Sequence, residues 1–558
     1  MSAETRLDGA GVLPPADVCL LLEGTYPYVA GGVSSWVHDL LSAHPGLVFD
    51  VVTMVPDSRP RPQRYKPPRN LRRLIDLPLQ DPPLGRVVRE VPPDAFALLD
   101  RLASGTAVRQ DLAAFEAAQR RAGGTLGRRA LLDSPAAFAA ACGAYSRLVP
   151  EASFLDFFWT WRSLLNAALS VMLLPAVPAR CYHSVSTGFG GLLGARFAAT
   201  TGRPLILSEH GIYTNERRIE VAMADWLFRE SENSLAPEKL QRDLRDLWIG
   251  AFECFSRLTY AAADPILTLY RGNQTLQRRD GAEPSRLGIV PNGIDADRYA
   301  AIPRQSGHPP TVALIGRVVP IKDVKTLIRA AAILRRRVPE VRVEILGPQE
   351  EDPAYARECV MLVAELGLAE TVFFRGRVPV MEWLGRIDVN VLTSISEAQP
   401  LTILEAGAAG VPCVATDVGA CREMIEGDPL VPDGFGPGGV VTPVADPAAT
   451  AEAIAALLLD APRRARAAAS IQARIRARYL KTDCDANYAR IYEAAMAAPS
   501  AGSALCELGA SPRKGLALVR GLFSGRLQDG AVAMPPGKDA QDRSEVAILA
   551  GLSSRPRA

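Results

Sequence analysis

The sequence predicts an α/β protein of two parallel-sheet domains that face each other across a cleft. Two runs of alternating strand and helix patterns support this fold class, one beginning at Asp17 and the other at Thr311. Short links join the elements of the second run, which indicates a parallel sheet with crossover helices. The chain of 558 residues is also too long for a single hydrophobic core. We therefore expect two domains with additions.

Composition limits the class of protein. The hydrophobic content of 48% and the charged content of 22% are typical of globular proteins. The formal net charge of +2 argues against a dedicated nucleic-acid-binding protein, which usually carries a clear basic excess. The nine cysteines form no C-x-x-C pair, so we expect reduced thiols in a cytoplasmic protein. The most apolar stretch, 154–177, is interrupted by charged residues and proline, and we expect it to be a buried helix rather than a membrane span.

The first run opens with an apolar strand, Asp17 to Leu22, and a loop that leads into a helix. Gly31 and Gly32 lie at the start of that helix, where the lack of side chains lets a ligand approach the backbone. Ser34 or Ser35 is placed to cap the helix. An ordinary turn is the alternative interpretation of the two glycines.

The alternation of strands and helices is lost from Pro56 to Pro150, and we interpret this region as an insertion. Its first part, Ser58 to Arg73, holds seven basic residues and four prolines without any acid. Such a stretch is usually a solvated linker, and the alternative is a docking patch for an anionic partner or a membrane surface. The part from Ala95 to Ala144 is alanine-rich and helical in pattern.

A histidine follows one of the strands of the first run. The strand Pro204 to Ser208 ends in Glu209 and His210. Ligands bind outside the carboxyl ends of the strands in open α/β sheets, so His210 is a candidate site residue. A buried structural histidine is the alternative.

Two glutamates eight residues apart give the strongest functional signal. Glu397 follows the strand Val389 to Thr393, and Glu405 lies more than one turn into the next helix. Pro400 suits the start of that helix, whose backbone N–H groups and positive dipole end can hold a phosphate. Carboxylates accept hydrogen bonds from hydroxyl groups, so the pair suits the two sugar rings of a nucleotide sugar. The alternative is two glutamates on a solvated surface.

Two cations lie at the turn after the strand Thr311 to Ile315. Arg317 and Lys322 are five residues apart there. They are placed to neutralise a departing diphosphate, which is the largest help a protein can give to cleavage of the anomeric bond. Surface charges at the start of a helix are the alternative.

The Arg317/Lys322 pair followed by Glu397-x7-Glu405 resembles the donor-site signature of retaining GT-B glycosyltransferases of family 4. The stretch Leu22 to Val37, with Ser208 to Tyr213, is similar to the PelF-like branch, the cytosolic glycosyltransferases of Pel exopolysaccharide synthesis. This resemblance covers roughly residues 17 to 498. It implies two Rossmann-like domains and a C-terminal helix that crosses back to the first domain.

The resemblance implies how the nucleotide is held. Glu405 is expected to bind the ribose. Arg317 and Lys322 are expected to bind the diphosphate, together with the backbone amides of Leu401 and Thr402. A UDP-sugar is the implied co-substrate, and no further cofactor is expected.

The same resemblance implies how the sugar is transferred. Glu397 is expected beside the donor sugar, His210 is expected to approach it, and Gly31 and Gly32 are expected to close on the donor from the other domain. No carboxylate is placed as a covalent nucleophile, because that chemistry needs a pair about 5 Å apart around the anomeric carbon. The leaving phosphate is therefore expected to take the proton of the acceptor on the same face of the sugar.

Two features bear on these expectations. Ala398-Gln399 stands where the family usually has Phe-Gly, so a glycine that lets phosphate approach is absent. Asp295-x-Asp297 and Asp483-x-Asp485 match a metal-binding D-x-D pattern, but neither follows a strand as a metal-dependent transferase site requires. We expect no metal role.

The expected domains are a flexible N-terminus (1–16), an acceptor domain (17–300) with the insertion at about 56–150, a donor domain (301–484) and a disordered tail (499–558). The helix 485–498 is expected to complete the acceptor domain. The implied partners are a glycan acceptor and membrane-embedded polysaccharide synthase subunits at the inner membrane, and not a nucleic acid. Two other functions stay open. They are a UDP-sugar-binding regulatory subunit of a membrane synthase and a GT-B nucleotide-sugar epimerase.

Overall fold

The first half of the chain forms a seven-stranded sheet in which all paired strands are parallel. A computed structural model describes residues 14–24, 26–88, 91–222 and 244–498. The strands are β1 (Ala16–Glu23), β2 (Phe49–Val55), β3 (Leu71–Pro78), β4 (Ala179–Ser184), β5 (Leu205–Glu209), β6 (Ala263–Thr268) and β7 (Leu287–Ile289). Their order is β3-β2-β1-β4-β5-β6-β7. The central strands are buried along almost their whole length, as parallel sheets covered on both faces are.

Helices pack on this sheet and on one another. Those that follow the strands are α1 (Gly32–Ala43), α6 (Phe154–Leu173), α7 (Phe189–Thr201), α8 (Tyr213–Ala222), α9 (Leu244–Ala262), α10 (Arg271–Arg279) and α11 (Ala296–Ala300). Four further helices come from the insertion, α2 (Pro93–Ala103), α3 (Arg109–Arg121), α4 (Arg128–Leu131) and α5 (Pro135–Leu148). Apolar residues of the insertion share one core with the sheet, so the insertion extends the first half of the chain rather than forming a separate body.

Residues 56–150, where the sequence pattern loses its alternation of strands and helices, contain one strand of the first sheet. β3 joins the sheet as its edge strand, next to β2. Its basic residues hide the strand in the sequence, but Arg72 and Arg73 both bond the buried carboxylate of Asp50. Arg59 and Arg61 similarly pair with Asp57. Four of the seven basic residues of the predicted linker are therefore paired within the chain, where they share two carboxylates.

The second half of the chain forms a six-stranded parallel sheet. Its strands are β8 (Thr311–Ile315), β9 (Arg342–Leu346), β10 (Val372–Gly376), β11 (Val389–Leu392), β12 (Cys413–Thr416) and β13 (Gly439–Thr442). Their order is β10-β9-β8-β11-β12-β13. The fold class predicted from the sequence, two parallel-sheet domains, is confirmed.

The helices of the second half connect successive strands and then close the chain. They are α12 (Val324–Leu334), α13 (Pro353–Glu365), α14 (Val380–Leu384), α15 (Leu401–Ala408), α16 (Cys421–Glu426), α17 (Pro447–Leu459), α18 (Ala461–Arg478) and α19 (Lys481–Ala497). Asp446 caps α17 by accepting a hydrogen bond from the backbone of Ala449 at 2.8 Å, as the Asp-Pro pair at its start indicates.

The last helix packs against the first sheet. The Tyr488 hydroxyl donates to Ser208 Oγ at 3.0 Å, and the Tyr492 hydroxyl lies 2.8 Å from His183 Nδ1. The chain crosses between the two halves twice, and the two crossings pair with each other. Ile294 N donates to Tyr479 O at 2.9 Å, and Lys481 N donates to Ile294 O at 2.9 Å.

The apolar stretch 154–177 contains a helix, α6, which ends at Leu173 and whose inner face is buried, as expected. Among the described residues no helix is long and apolar enough to cross a bilayer. The expectations for residues 1–13 and for the tail 499–558 fall outside the described residues.

Candidate active site

Three turns meet at the carboxyl edge of the second sheet. They follow β8, β11 and β12, which are neighbours in the sheet, and the carboxyl ends of parallel strands share one edge. Backbone hydrogen bonds join the turns directly. Ile395 N donates to Ile321 O at 2.9 Å, and Ala420 N donates to Ala398 O at 2.8 Å. Residues far apart in the sequence therefore form one continuous surface.

Lys322 and Glu397 form an ion pair on this surface. Lys322 Nζ bonds Glu397 Oε1, and Ser394 Oγ donates to the same oxygen at 2.6 Å. The two charged side chains are only 17% and 12% exposed. The Thr393 hydroxyl donates to Lys322 O at 3.1 Å, which fixes the turn that carries the lysine. A fixed cation and a fixed carboxylate thus stand side by side and largely shielded from water.

The N-terminus of α15 lies directly beside this pair. Pro400 is the N-cap residue, and the half-buried Leu401 and Thr402 belong to the first turn, whose N–H groups have no partner within the helix. Gly419 braces the turn from the other side. A Cβ at Gly419, whose φ is +53°, would lie 2.1 Å from Glu397 O, so this contact requires glycine.

The side chain of Gln399, the unusual residue of the motif, contacts Asn292 in the segment where the chain first crosses between the two halves. Its Oε1 accepts a hydrogen bond from Asn292 N at 2.7 Å, and its side chain is buried. Its Nε2 and Asn292 Oδ1 are both buried without a hydrogen-bond partner among the described residues. The side chain that replaces the family glycine is thus engaged with the crossing segment.

Glu405 is held by the neighbouring helix α11. The Tyr299 hydroxyl donates to Glu405 Oε1 at 3.0 Å. Burial raises the pKa of Glu405, and the hydrogen bond from Tyr299 opposes that rise. No described group bonds Oε2, which leaves this oxygen able to accept from a ligand hydroxyl.

Arg317 lies apart from the Lys322–Glu397 pair. Its Nη1 is 2.8 Å from Glu351 Oε2, which belongs to the turn after the neighbouring strand β9. Both side chains are about half exposed, so this ion pair is a weak surface one. The structure therefore places Arg317 at the same sheet edge without direct contact to the other predicted charges.

Gly31 and Gly32 begin α1 at the carboxyl end of β1. A Cβ at either glycine would have no neighbour within 4 Å, so space is open above both. The expectation that Ser34 or Ser35 caps this helix is wrong, because Gly31 is the N-cap residue and no side chain caps the helix. The Ser35 hydroxyl instead lies 3.0 Å from the hydroxyl of Tyr65.

His210 directly follows β5, as the sequence predicts. Its ring packs edge-on against Trp36 of α1, with 4.6 Å between the ring centroids. Nε2 is buried and has no hydrogen-bond partner among the described residues. Burial lowers the pKa of His210 to about 4, so the ring is neutral near pH 7. A neutral imidazole with an unused nitrogen can bond a substrate hydroxyl.

Sequence reasoning missed two carboxylates at the ends of β1 and β5. Glu23 accepts hydrogen bonds from Ser186 Oγ at 2.6 Å and from the Tyr213 hydroxyl at 3.0 Å. Glu209 accepts from the Tyr260 hydroxyl at 2.7 Å, and burial raises its pKa to about 7. In the sequence, each of these glutamates is marked only as a charged residue at the end of an apolar strand. Their hydrogen bonds indicate that both carboxylates connect neighbouring elements of the first half.

The two D-x-D patterns serve the helices that contain them. Asp295 caps α11 by accepting from Arg298 N at 3.2 Å, and Asp485 lies 3.5 Å from Lys481 Nζ on α19. In the part of the chain that the structure describes, no group of three or more His, Cys, Asp or Glu side chains is arranged to hold a metal ion.

Two sheets of this kind, each with its own helices and with a last helix that returns to the first sheet, define the GT-B fold of glycosyltransferases. Residues 309–460 match the family model "Glycosyl transferases group 1". Residues 16–285 match a model described as "Domain of unknown function (DUF3492)". The resemblance to the PelF-like branch stays a prediction.

Curated relatives match over part of the chain. D-inositol 3-phosphate glycosyltransferase 2 of Catenulispora acidiphila is 34% identical over 205 residues, which are 34% of this chain and 46% of that protein. D-inositol 3-phosphate glycosyltransferase of Xylanimonas cellulosilytica is 31% identical over 231 residues, which are 38% of this chain and 53% of that protein. The chain thus spans about half the length of the curated relatives it matches.

Solved structures match over most of the chain. The Anabaena protein HepE in complex with UDP has a TM-score of 0.53 and 15% identity, and the match covers 85% of this chain and 99% of that chain. Sucrose-phosphate synthase of Thermosynechococcus elongatus has a TM-score of 0.53 and 16% identity, with 85% and 98% covered. At this identity the likeness establishes the fold.

Proposed function

We propose that this protein is a retaining glycosyltransferase of family 4 that moves a sugar from a UDP-sugar to a growing exopolysaccharide. The shielded Lys322–Glu397 pair beside the N-terminus of α15 is the observation that carries this proposal. It offers a cation for phosphate and a carboxylate for sugar hydroxyls at one point of the cleft edge. The group 1 match supports transfer, and UDP bound to the Anabaena protein of the same fold supports the donor class.

The donor is held by groups of the second half. Lys322, the N–H groups of Leu401 and Thr402 and, after release from Glu351, Arg317 bind the diphosphate. Glu405 binds the ribose through the oxygen that Tyr299 leaves unused. Glu397 exchanges part of its contact with Lys322 for hydroxyls of the donor sugar, so both charges stay satisfied when the donor is bound.

The first half closes on the donor and presents the acceptor. The open space above Gly31 and Gly32 lets the donor approach that backbone, and His210 bonds a hydroxyl of the sugar through its unused nitrogen. Because His210 is neutral near pH 7, it binds without adding a positive charge beside the reacting carbon.

Transfer proceeds on one face of the sugar. The bond between the anomeric carbon and the diphosphate oxygen breaks, and the electron pair leaves with the diphosphate. The acceptor oxygen bonds the same carbon from the same face, and its proton passes to the departing phosphate oxygen. Lys322 and Arg317 stabilise the charge that develops on the diphosphate, which is the main contribution of such a site to the rate.

The proposed acceptor and place of action are based on the resemblance of two stretches to the PelF-like branch. This resemblance favours a growing exopolysaccharide as the acceptor, on the cytoplasmic side of the inner membrane and together with membrane-embedded synthase subunits. The two curated relatives described above are named for inositol 3-phosphate. Their matches cover only 34% and 38% of this chain. Their acceptor is therefore not carried over here.

A panel of donors tests the proposal. The purified chain is incubated with UDP-glucose, UDP-N-acetylglucosamine and UDP-N-acetylgalactosamine, and UDP release and donor identity are followed by mass spectrometry. Release of UDP from one donor supports a transferase. Tight binding without turnover, even with membrane partners added, supports a regulatory subunit, and conversion of the donor sugar without an acceptor supports an epimerase.

A further inference from the structure

A cavity of about 420 Å³ lies between the two halves of the chain, at the base of the loop that leads to Gly31. Tyr28, Val29, Ala30 and Arg64 line it from the first half, and Arg377 lines it from the second. This volume is within the range of small-molecule sites, which is about 300–1,000 Å³. Among the described residues, none of the side chains proposed to bind the donor lines this cavity.

The backbone around Arg64 is fixed against the glycine loop. Arg64 N donates to Pro27 O at 2.8 Å. The ring of the next residue, Tyr65, packs at a tilt against Tyr26 with 5.5 Å between the ring centroids, and its hydroxyl lies 3.0 Å from Ser35 Oγ of α1. Arg64 is therefore presented by an ordered wall rather than by a loose linker.

Arg377 is presented in a similar way from the second half. It follows β10, whose last residue, Gly376, has a φ of +64° and turns the chain. The preceding arginine, Arg375, is anchored on Glu344 by two hydrogen bonds of 2.7 and 3.2 Å. Glu344 is thus bonded by Arg375, and Arg377 lines the cavity.

In the described part of the chain, no carboxylate pairs with the side chain of Arg64 or Arg377, both of which are exposed. Arg61 in the same loop, by contrast, pairs with Asp57 at 2.6 Å. The Tyr28 hydroxyl donates a hydrogen bond to Asp76 at 2.8 Å. Two guanidinium groups that line one cavity offer an anion between them two planar sets of N–H donors.

We propose that Arg64 and Arg377 form a site for an anionic group, a phosphate or a carboxylate, carried by the glycan acceptor. The proposal rests on the transferase function above and names the chemical class of its acceptor. Because the two arginines come from opposite halves, the anion also links them and favours the closed cleft. The acceptor is thereby recognised next to the glycine loop and apart from the diphosphate of the donor.

Binding of simple anions to the full chain tests the site without an acceptor in hand. The protein is saturated with UDP, and inorganic phosphate is titrated while the line width of its ³¹P NMR signal is followed. Sodium glucuronate, detected by ¹H NMR, forms the second arm and distinguishes a carboxylate from a phosphate. The variants are Arg64→Ala and Arg377→Ala, and Arg69→Ala is the matched control, since Arg69 is exposed in the same loop but does not line the cavity.

We expect at least one of the two anions to bind the UDP-saturated protein, and each cavity variant to weaken that binding at least fivefold. The control should bind as the wild type does, and unchanged UDP affinity should show that all variants are folded. Three results overturn the site: no anion binding by the wild type, equal binding by the cavity variants, or displacement of the anion by UDP. Anion binding without turnover of any UDP-sugar would refute the transferase function while leaving the anion site in place.

Discussion

Replacing Lys322 with alanine distinguishes a donor-binding lysine from one that only supports the fold. Lys322 and Glu397 are 17% and 12% exposed, so the variant leaves a shielded carboxylate with Ser394 as its remaining bonded neighbour. Such a loss is expected to lower the free energy of unfolding by about 1–3 kcal/mol. If Lys322 also stabilises the departing diphosphate, the variant raises the activation free energy by about 3–4 kcal/mol, which corresponds to a fall in kcat of roughly 10²–10³-fold.

Three measurements separate these effects. UDP release with the active donor gives kcat, calorimetry gives the affinity for UDP, and thermal unfolding gives Tm. We expect kcat to fall at least about 100-fold and UDP binding to weaken about tenfold, while Tm falls by a few degrees. Lys325→Ala is the control, because Lys325 lies three residues further on, in the first turn of α12, and pairs with the exposed Glu358 at 2.6 Å. A fall in Tm with kcat and UDP affinity within twofold of the wild type would show that the reasoning about the donor is wrong.

Three further substitutions test single contacts. Glu405→Gln keeps the hydrogen bond from Tyr299 but removes the negative charge, so calorimetry should show UDP binding weakened about tenfold, or by about 1.4 kcal/mol. Equal affinity would show that Glu405 does not bind the ribose. Gln399→Gly deprives Asn292 N of its partner, and urea unfolding should show a loss of about 1–3 kcal/mol, whereas an unchanged curve would mean that this bond is not needed. Burial raises the pKa of Glu209 from 4.5 to about 7, so the folded state keeps a proton that the unfolded state has lost. Stability therefore falls by about 3 kcal/mol as pH rises from 4.5 to 7, and Glu209→Gln should abolish this part of the fall; parallel curves for the two proteins would contradict it.

The strands and helices of both sheets could largely be predicted from hydrophobic pattern, because buried parallel strands are short apolar runs. β3 could not, since its Arg72 and Arg73 resemble a solvated linker and their partner Asp50 lies on another strand. The start of α1 was placed correctly, but Ser35 bonds Tyr65 across the loop instead of capping the helix. The local sequence pattern around a residue does not show which distant residue its side chain will bond.

The candidate site shows the same division. The spacing of Glu397 and Glu405 predicted a turn and a helix, and both are present. The direct contact of Glu397 with Lys322 could not be predicted, because it depends on β8 and β11 being neighbours in the sheet. The bond from Asn292 to Gln399 joins residues 107 positions apart, so the consequence of the missing family glycine became visible only in the structure.

The configuration of the transferred sugar tests the central claim most directly. The chain is supplied with the UDP-sugar that it turns over, labelled with ¹³C at the anomeric carbon, and with an exopolysaccharide fragment as acceptor, and the product is examined by NMR. We expect labelled sugar on the glycan with the α configuration of the donor, formed together with UDP. A β-linked product would contradict retention, and label that never leaves the nucleotide would contradict transfer itself.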